Sequence, residues 1–166
     1  RFAIAITALN VLGRLFFGFE QSWAQMAAAV AAAYAVELLL EGIDARSIGR
    51  KPAFAGGPVA AIHFLLPAHI SAMAVSMLLY PGDRLLPMAF ATAVAIASKW
   101  LLRAPTPRGP RHFLNPSNTG IAATLLLFPS VGIAPPYHFT EHLGTVGDWL
   151  LPAVILVSGT FLNTRF

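Results

Sequence analysis

His112-Phe113-Leu114-Asn115-Pro116-Ser117-Asn118-Thr119-Gly120-Ile121-Ala122-Ala123-Thr124-Leu125-Leu126-Leu127-Phe128-Pro129 is the stretch on which the reading of this chain turns. It predicts a short helix with a polar start and an abrupt stop. Asn115 suits the N-cap, because its side-chain oxygen can accept a backbone N–H of the first turn. Pro116 fits the first helical position, where no intrahelical donor is needed. Ser117, Asn118 and Thr119 add polar groups to the same turn, and Gly120 lets another backbone approach. From Ile121 to Phe128 nearly every residue is apolar, and Pro129 ends the run. Such a helix rises only ~20 Å, against a hydrocarbon core of ~30 Å. Two readings are open. The helix starts at the membrane interface as an ordinary capped element, or its polar N-terminus lies at membrane depth and builds a site, as in transporter-type folds.

Composition supplies the setting. The chain is 57% hydrophobic and 11% charged, with mean hydropathy +0.68, far more apolar than a soluble domain of 166 residues. It is expected to be an all-α integral membrane protein of about six transmembrane segments, with the lipid bilayer as its first partner. The absence of cysteine excludes disulfides, thiolate metal sites and cysteine-ligated clusters within these residues. A formal charge of +4 fits basic loops beside a membrane. No basic run is interleaved with aromatics as nucleic-acid binding requires, so nucleic acid is not an expected partner. The start at Arg1 and the end just after an apolar run suggest a piece of something longer. The first apolar run lacks a small-residue cleavage pattern and does not read as a signal peptide.

Working outward, span one covers about residues 2–19. Asn10 and Arg14 share a face at i,i+4, and Arg14 either snorkels to the interface or faces inward as a cation. Span two covers about residues 22–40, and its alanine run 27–33 offers a smooth packing surface. Glu37 and Glu41 near its end read as partners for Arg46, Arg50 or Lys51. After a loop over residues 42–58, span three runs to about Tyr80 and is expected to break at Pro67, between His63 and His69. These histidines either satisfy the broken backbone or join a polar site; six residues apart, they do not suit a shared metal. Tyr80-Pro81-Gly82-Asp83-Arg84 is a tight turn. Span four covers about residues 85–102 and leaves through Lys99, Trp100 and Arg103, an aromatic and basic belt. After Pro129, His138 and His142 flank Glu141 without the usual metalloprotease order, which points to a solvated loop. Asp148 opens a last span to about Asn163.

Nine of the eleven basic residues fall on one side if six segments cross, with Arg14 and Arg84 as the exceptions. That bias places both ends of the sequence, and the polar start of the short helix, on the cytoplasmic side. His138 is then outside.

Ala97-Ser98-Lys99-Trp100-Leu101-Leu102-Arg103, followed by Arg111-His112-Phe113-Leu114-Asn115-Pro116-Ser117-Asn118-Thr119-Gly120, resembles the RnfD-like membrane family. That family includes the RnfD protein of the Rnf electron-transport complex and its counterpart in the sodium-pumping NADH:quinone oxidoreductase. The closest resemblance is to its small UnbU-type relatives, associated with enediyne biosynthesis. The resemblance is loose over most of the chain and specific over about 25 residues. It implies two inverted five-helix repeats, urea-transporter-like, with short or broken helices meeting near the midplane. Residues 1–130 would form the first repeat of a single membrane domain and 148–166 the start of a second. It also implies a bacterial inner-membrane location and other membrane subunits as partners. Redox members carry flavin phosphate on a threonine in a Ser-x-Ala-Thr-type motif after the Asn-Pro helix. Thr140 and Thr145 are the candidates here, and neither sits in such a motif. Covalent FMN is therefore not expected, which leaves non-covalent flavin or quinone.

Three functions follow as expectations. The first is a membrane subunit of an electron-transport-type complex that binds or flanks a cofactor, quinone or lipid-like ligand. The second is a scaffold subunit, and the third a small-solute channel or transporter. With no nucleophile–base pair and no paired carboxylates inside the membrane, catalytic residues and metal ligands are expected to be absent. The expected ligand site gathers Arg111, His112, Asn115, Ser117, Asn118 and Thr119 at the start of the short helix, with His63 or His69 brought alongside.

Overall fold

The computed structural model describes residues 1–107, 109–135 and 144–163. Over these it is mostly helical, with α1 Phe2–Phe16, α2 Trp23–Ser47, a 3-10 turn Ala53–Gly56, α3 Pro58–Leu78, α4 Leu86–Leu101, α5 Pro116–Leu127 and α6 Gly144–Asn163. Among the described residues two helices, α2 and α3, are long and apolar enough to cross a membrane. Arg108, Tyr137, His138, Thr140, Glu141, His142 and Arg165 lie outside the described residues.

Local chemistry sets the helix ends. Ser22 opens α2 through a reciprocal capping box with Gln25: its hydroxyl accepts from Gln25 N at 3.2 Å, and Gln25 Oε1 accepts from Ser22 N at 2.9 Å. Gly57, at φ +100°, supplies the left-handed residue that turns the chain into Pro58 at the start of α3. α2 runs to Ser47, seven residues past the expected end of span two. Its extra turns carry Glu41 and Asp44, whose carboxylates meet Arg50 just beyond.

α3 differs from expectation more sharply. It is one continuous helix with Pro67 inside it, so the predicted break between His63 and His69 is absent. Proline removes one N–H donor but does not oblige a helix to stop when packing holds both halves. Here Ala68, Ser71, Ala72, Met73, Val75 and Ser76 are all buried, on the C-terminal side of the proline.

The core is built from small residues. On α2 the buried positions are Gln25, Ala29, Ala33, Glu37, Glu41 and Ala45, a strict i,i+4 ridge. Ala29 and Ala33 share one core cluster with Ala68, Ala72 and Val75 of α3 and with Met88, Ala91, Ala95 and Ile96 of α4. α4 has its most extensive contacts with α5 and α2, which makes it the central helix. The α4–α5 contact requires glycine: a Cβ on Gly120 would stand 2.1 Å from the carbonyl oxygen of Ala91. Small residues at such contacts let backbones approach closely, which is how helices associate where apolar surroundings supply no hydrophobic drive.

Two short antiparallel ribbons join the loops. Leu79–Tyr80 (β1) pairs with Gly132–Ile133 (β4), linking the end of α3 to the segment after α5. Arg103–Ala104 (β2) pairs with Arg111–His112 (β3), closing the α4–α5 loop as a hairpin.

Candidate functional site

The start of α5 is built as its sequence predicts. Asn115 is the N-cap, with Oδ1 accepting from Asn118 N at 3.1 Å, and Pro116 follows in the first turn. Thr119 Oγ1 donates back to Asn115 O at 2.8 Å. Asn115 and Asn118 are exposed, and Ser117 and Thr119 half-buried. Arg111 and His112 lie in β3, exposed, where their backbone pairs with Ala104 and Arg103. Gly120 packs on the Ala91–Ala95 turn, so the start of α5, ~6 Å back along the axis, lies near the exit of α4.

The histidines of α3 are not gathered there. His63 is exposed. His69 is held between α1 and α2 instead: Nε2 lies 2.7 Å from Thr7 Oγ1, and Nδ1 2.9 Å from the Tyr34 hydroxyl. These three side chains, with Ala3, Ile4, Ala8 and Leu66, line a groove of about 440 Å³. It is apolar except for the three polar groups. Thr7 and Tyr34 are not among the residues that the sequence singles out. The available signal is a hydroxyl one helical turn from Asn10 and a tyrosine at the end of an alanine run.

Arg14 resolves to its inward alternative. Its Nε donates to Gln21 O at 3.1 Å, Nη1 to Asn10 O and Asn10 Oδ1 at 3.0 Å each, and Nη2 to Ser76 Oγ at 2.7 Å and Ser76 O at 3.4 Å. A guanidinium has five N–H donors, and these contacts supply five acceptors. Asn10, fully buried, passes the connection on by donating to Ile6 O at 2.9 Å and Met73 O at 3.2 Å. Saturated in this way, Arg14 joins α1 to α3 and has no donor left for a ligand.

Glu37 pairs across helices rather than with the following loop. Lys99 Nζ lies 3.1 Å from its Oε1, and Trp100 Nε1 donates to Oε2 at 3.3 Å. Both members of the ion pair are largely buried. Glu41 does take the expected loop partner, receiving both Nη groups of Arg50 and the backbone N–H of Ala53 at 2.6 Å. The Glu41 and Asp44 carboxylates raise the Arg50 pKa further above its ordinary value, so its charge is fixed. Arg103 stacks on Trp100 at 4.7 Å, completing a basic and aromatic rim with Lys99. Among the described residues no group of three or more His, Cys, Asp or Glu is placed to hold a metal ion.

Comparison with protein-family models, with curated proteins and with solved structures finds no match to this chain.

Proposed function

We propose that the chain is a multi-pass subunit of a bacterial cytoplasmic-membrane complex, RnfD-like, which holds or flanks an apolar cofactor, quinone or lipid-like ligand and performs no chemistry of its own. The observation that carries this reading is an apolar exterior around a core that also encloses charged and amide side chains. Buried positions hold Asn10, Gln21, Gln25, Glu37 (5% exposed) and Glu41; each makes a hydrogen bond, Gln21 through its Nε2 alone, its Oε1 being buried without a partner among the described residues. The outside holds Ile4 (75% exposed), Leu39, Val59, Ile62 and Leu126 (83% exposed). Water favours the reverse arrangement, whereas lipid requires polar groups to be satisfied inside. The 97–103 and 111–120 resemblance supports the family assignment. The rim of Arg46, Arg50, Lys51, Lys99, Arg103 and Arg111 supports a cytoplasmic face at that end, with the start of α5 opening onto it.

Cysteine labelling tests the membrane reading, since the chain has no native cysteine. Lys51→Cys is expected to be protected from an impermeant maleimide in intact cells, and Asp83→Cys to be labelled. The reverse pattern overturns the orientation, and recovery of the chain in the alkaline-washed soluble fraction overturns the embedding. An absorption spectrum of the purified complex tests the cofactor, and mass analysis tests the expectation that no flavin is attached at Thr140 or Thr145.

The scaffold reading is favoured by α6, on which Val146, Trp149 (81% exposed), Leu150, Leu156 and Val157 face outward. Stoichiometric protein partners without a bound cofactor would select it.

A further inference from the structure

We propose that the groove between α1, α2 and α3 binds an apolar molecule that carries a hydroxyl group, and that the phenolic oxygen of Tyr34 accepts the hydrogen bond from it. This rests on the membrane-embedded reading above and gives a ligand class to a groove remote from the α5 start.

The geometry decides through donor counting. Thr7 Oγ1 donates to Ala3 O at 2.7 Å, which commits the only proton of that hydroxyl. Toward His69, 2.7 Å away, the same oxygen is therefore an acceptor, and Nε2 carries the ring proton. Both neighbours of the ring are hydroxyls, and among the described residues no ion pair includes His69, so the imidazole is neutral. A neutral imidazole has one N–H. Nδ1 is then an acceptor, and Tyr34 donates its O–H to it at 2.9 Å. The hydrogen bonds all run one way, from Tyr34 through His69 and Thr7 to the Ala3 carbonyl.

That direction leaves one kind of opening. The Tyr34 proton is committed, while its oxygen keeps the capacity to accept. A ligand carbonyl arriving at this oxygen would meet no proton, but a ligand hydroxyl would find an acceptor. The walls supply the rest of the selection. Ala3, Ala8, Ile4 and Leu66 present only carbon, and the volume of about 440 Å³ suits a ring with part of a tail. A lipid acyl chain would satisfy the walls alone and leave the Tyr34 oxygen unused.

The test uses the full chain in phosphatidylcholine nanodiscs. It is labelled with a photoactivatable long-chain 4-alkylphenol and, separately, with the O-methyl ether of that probe, which has the same body and no donor. The phenol is expected to label peptides containing Ala3, Ala8 or Leu66 at about tenfold lower concentration than the ether, the contribution of one hydrogen bond. In the double variant Tyr34→Phe/His69→Leu the two probes should label alike. Both residues are changed because Tyr34→Phe alone would open Nδ1 of His69 to the phenol. Leu66→Trp fills the groove from its wall and should suppress labelling by both probes, giving a second readout if the double variant does not fold. Equal labelling of the unmodified chain by phenol and ether overturns the proposal and makes the groove an acyl-chain site. Labelling unaffected by Leu66→Trp overturns it as well. A chain that never reaches the membrane fraction defeats the embedding instead, and is recognised before any probe is added.

Discussion

The two ends of the helical bundle each hold hydrogen-bonded cations, and they satisfy them differently. At the end where α2 and α4 finish, Lys99 and Arg50 meet the carboxylates of Glu37, Glu41 and Asp44. At the end where α1 finishes, Arg14 meets only neutral oxygens, three of them backbone carbonyls. The first arrangement cancels charge, and its strength lies in pairing. The second retains a full positive charge and depends on the number and direction of acceptors. One consequence is that removing both partners should restore stability at the paired end, whereas at the Arg14 end keeping the charge alone should not.

The largest effect is expected at the buried pair. Glu37→Leu leaves Lys99 and the Trp100 N–H without their acceptor and should cost about 3–5 kcal/mol in denaturation measured in micelles. Glu37→Leu with Lys99→Met removes both charges and should regain most of that loss. If the double variant is no better than the single one, the pair is not the unit of stability at this end.

Arg14 should behave otherwise. Arg14→Met leaves several inward acceptors unmatched and is expected to cost about 2 kcal/mol. Arg14→Lys keeps the charge but offers three donors in place of five, and should recover less than half of the loss. Full recovery by lysine would show that this end needs only a cation and would dissolve the contrast. The smallest effect belongs to the outer edge of the paired end. Asp44 is only half-buried, and Arg50 keeps its bidentate contact with Glu41 without it. Asp44→Asn should therefore change stability by less than about 1 kcal/mol, and less still at high salt.

How far the sequence leads depends on the distance between partners. α5 is readable almost to the residue, since its cap, proline and polar first turn are adjacent and act locally; the observed helix, Pro116–Leu127, starts where expected. The Asn10–Arg14 face is readable for the same reason. Its meaning is not, because the deciding acceptors on Ser76 lie 62 positions away and only the packing of α1 on α3 supplies them. Proximity in sequence assigns Glu37 to nearby basic residues, whereas Lys99 reaches it across the α2–α4 contact. Pro67 misleads for the opposite reason. A local rule about donors meets a place where tertiary packing keeps the helix whole. The expected ligand cluster mixes these cases: Asn115, Ser117, Asn118 and Thr119 stand together, with Arg111 and His112 just before them. His63 and His69 belong to it only through a break that is absent.

The pairing of Leu79–Tyr80 with Gly132–Ile133 bears on how the protein is made. When the ribosome has released α3, the strand that pairs with Leu79–Tyr80 has not been made, and it follows only after the whole of α4 and α5. At roughly 5–20 residues per second, that interval lasts a few seconds. Throughout it Leu79 is held by groups already made: its N–H reaches Val75 O, and its carbonyl accepts from Gln21 Nε2 at 3.1 Å. The arrival of Gly132–Ile133 closes the seam, and it gives the docking of α4 and α5 a defined last step.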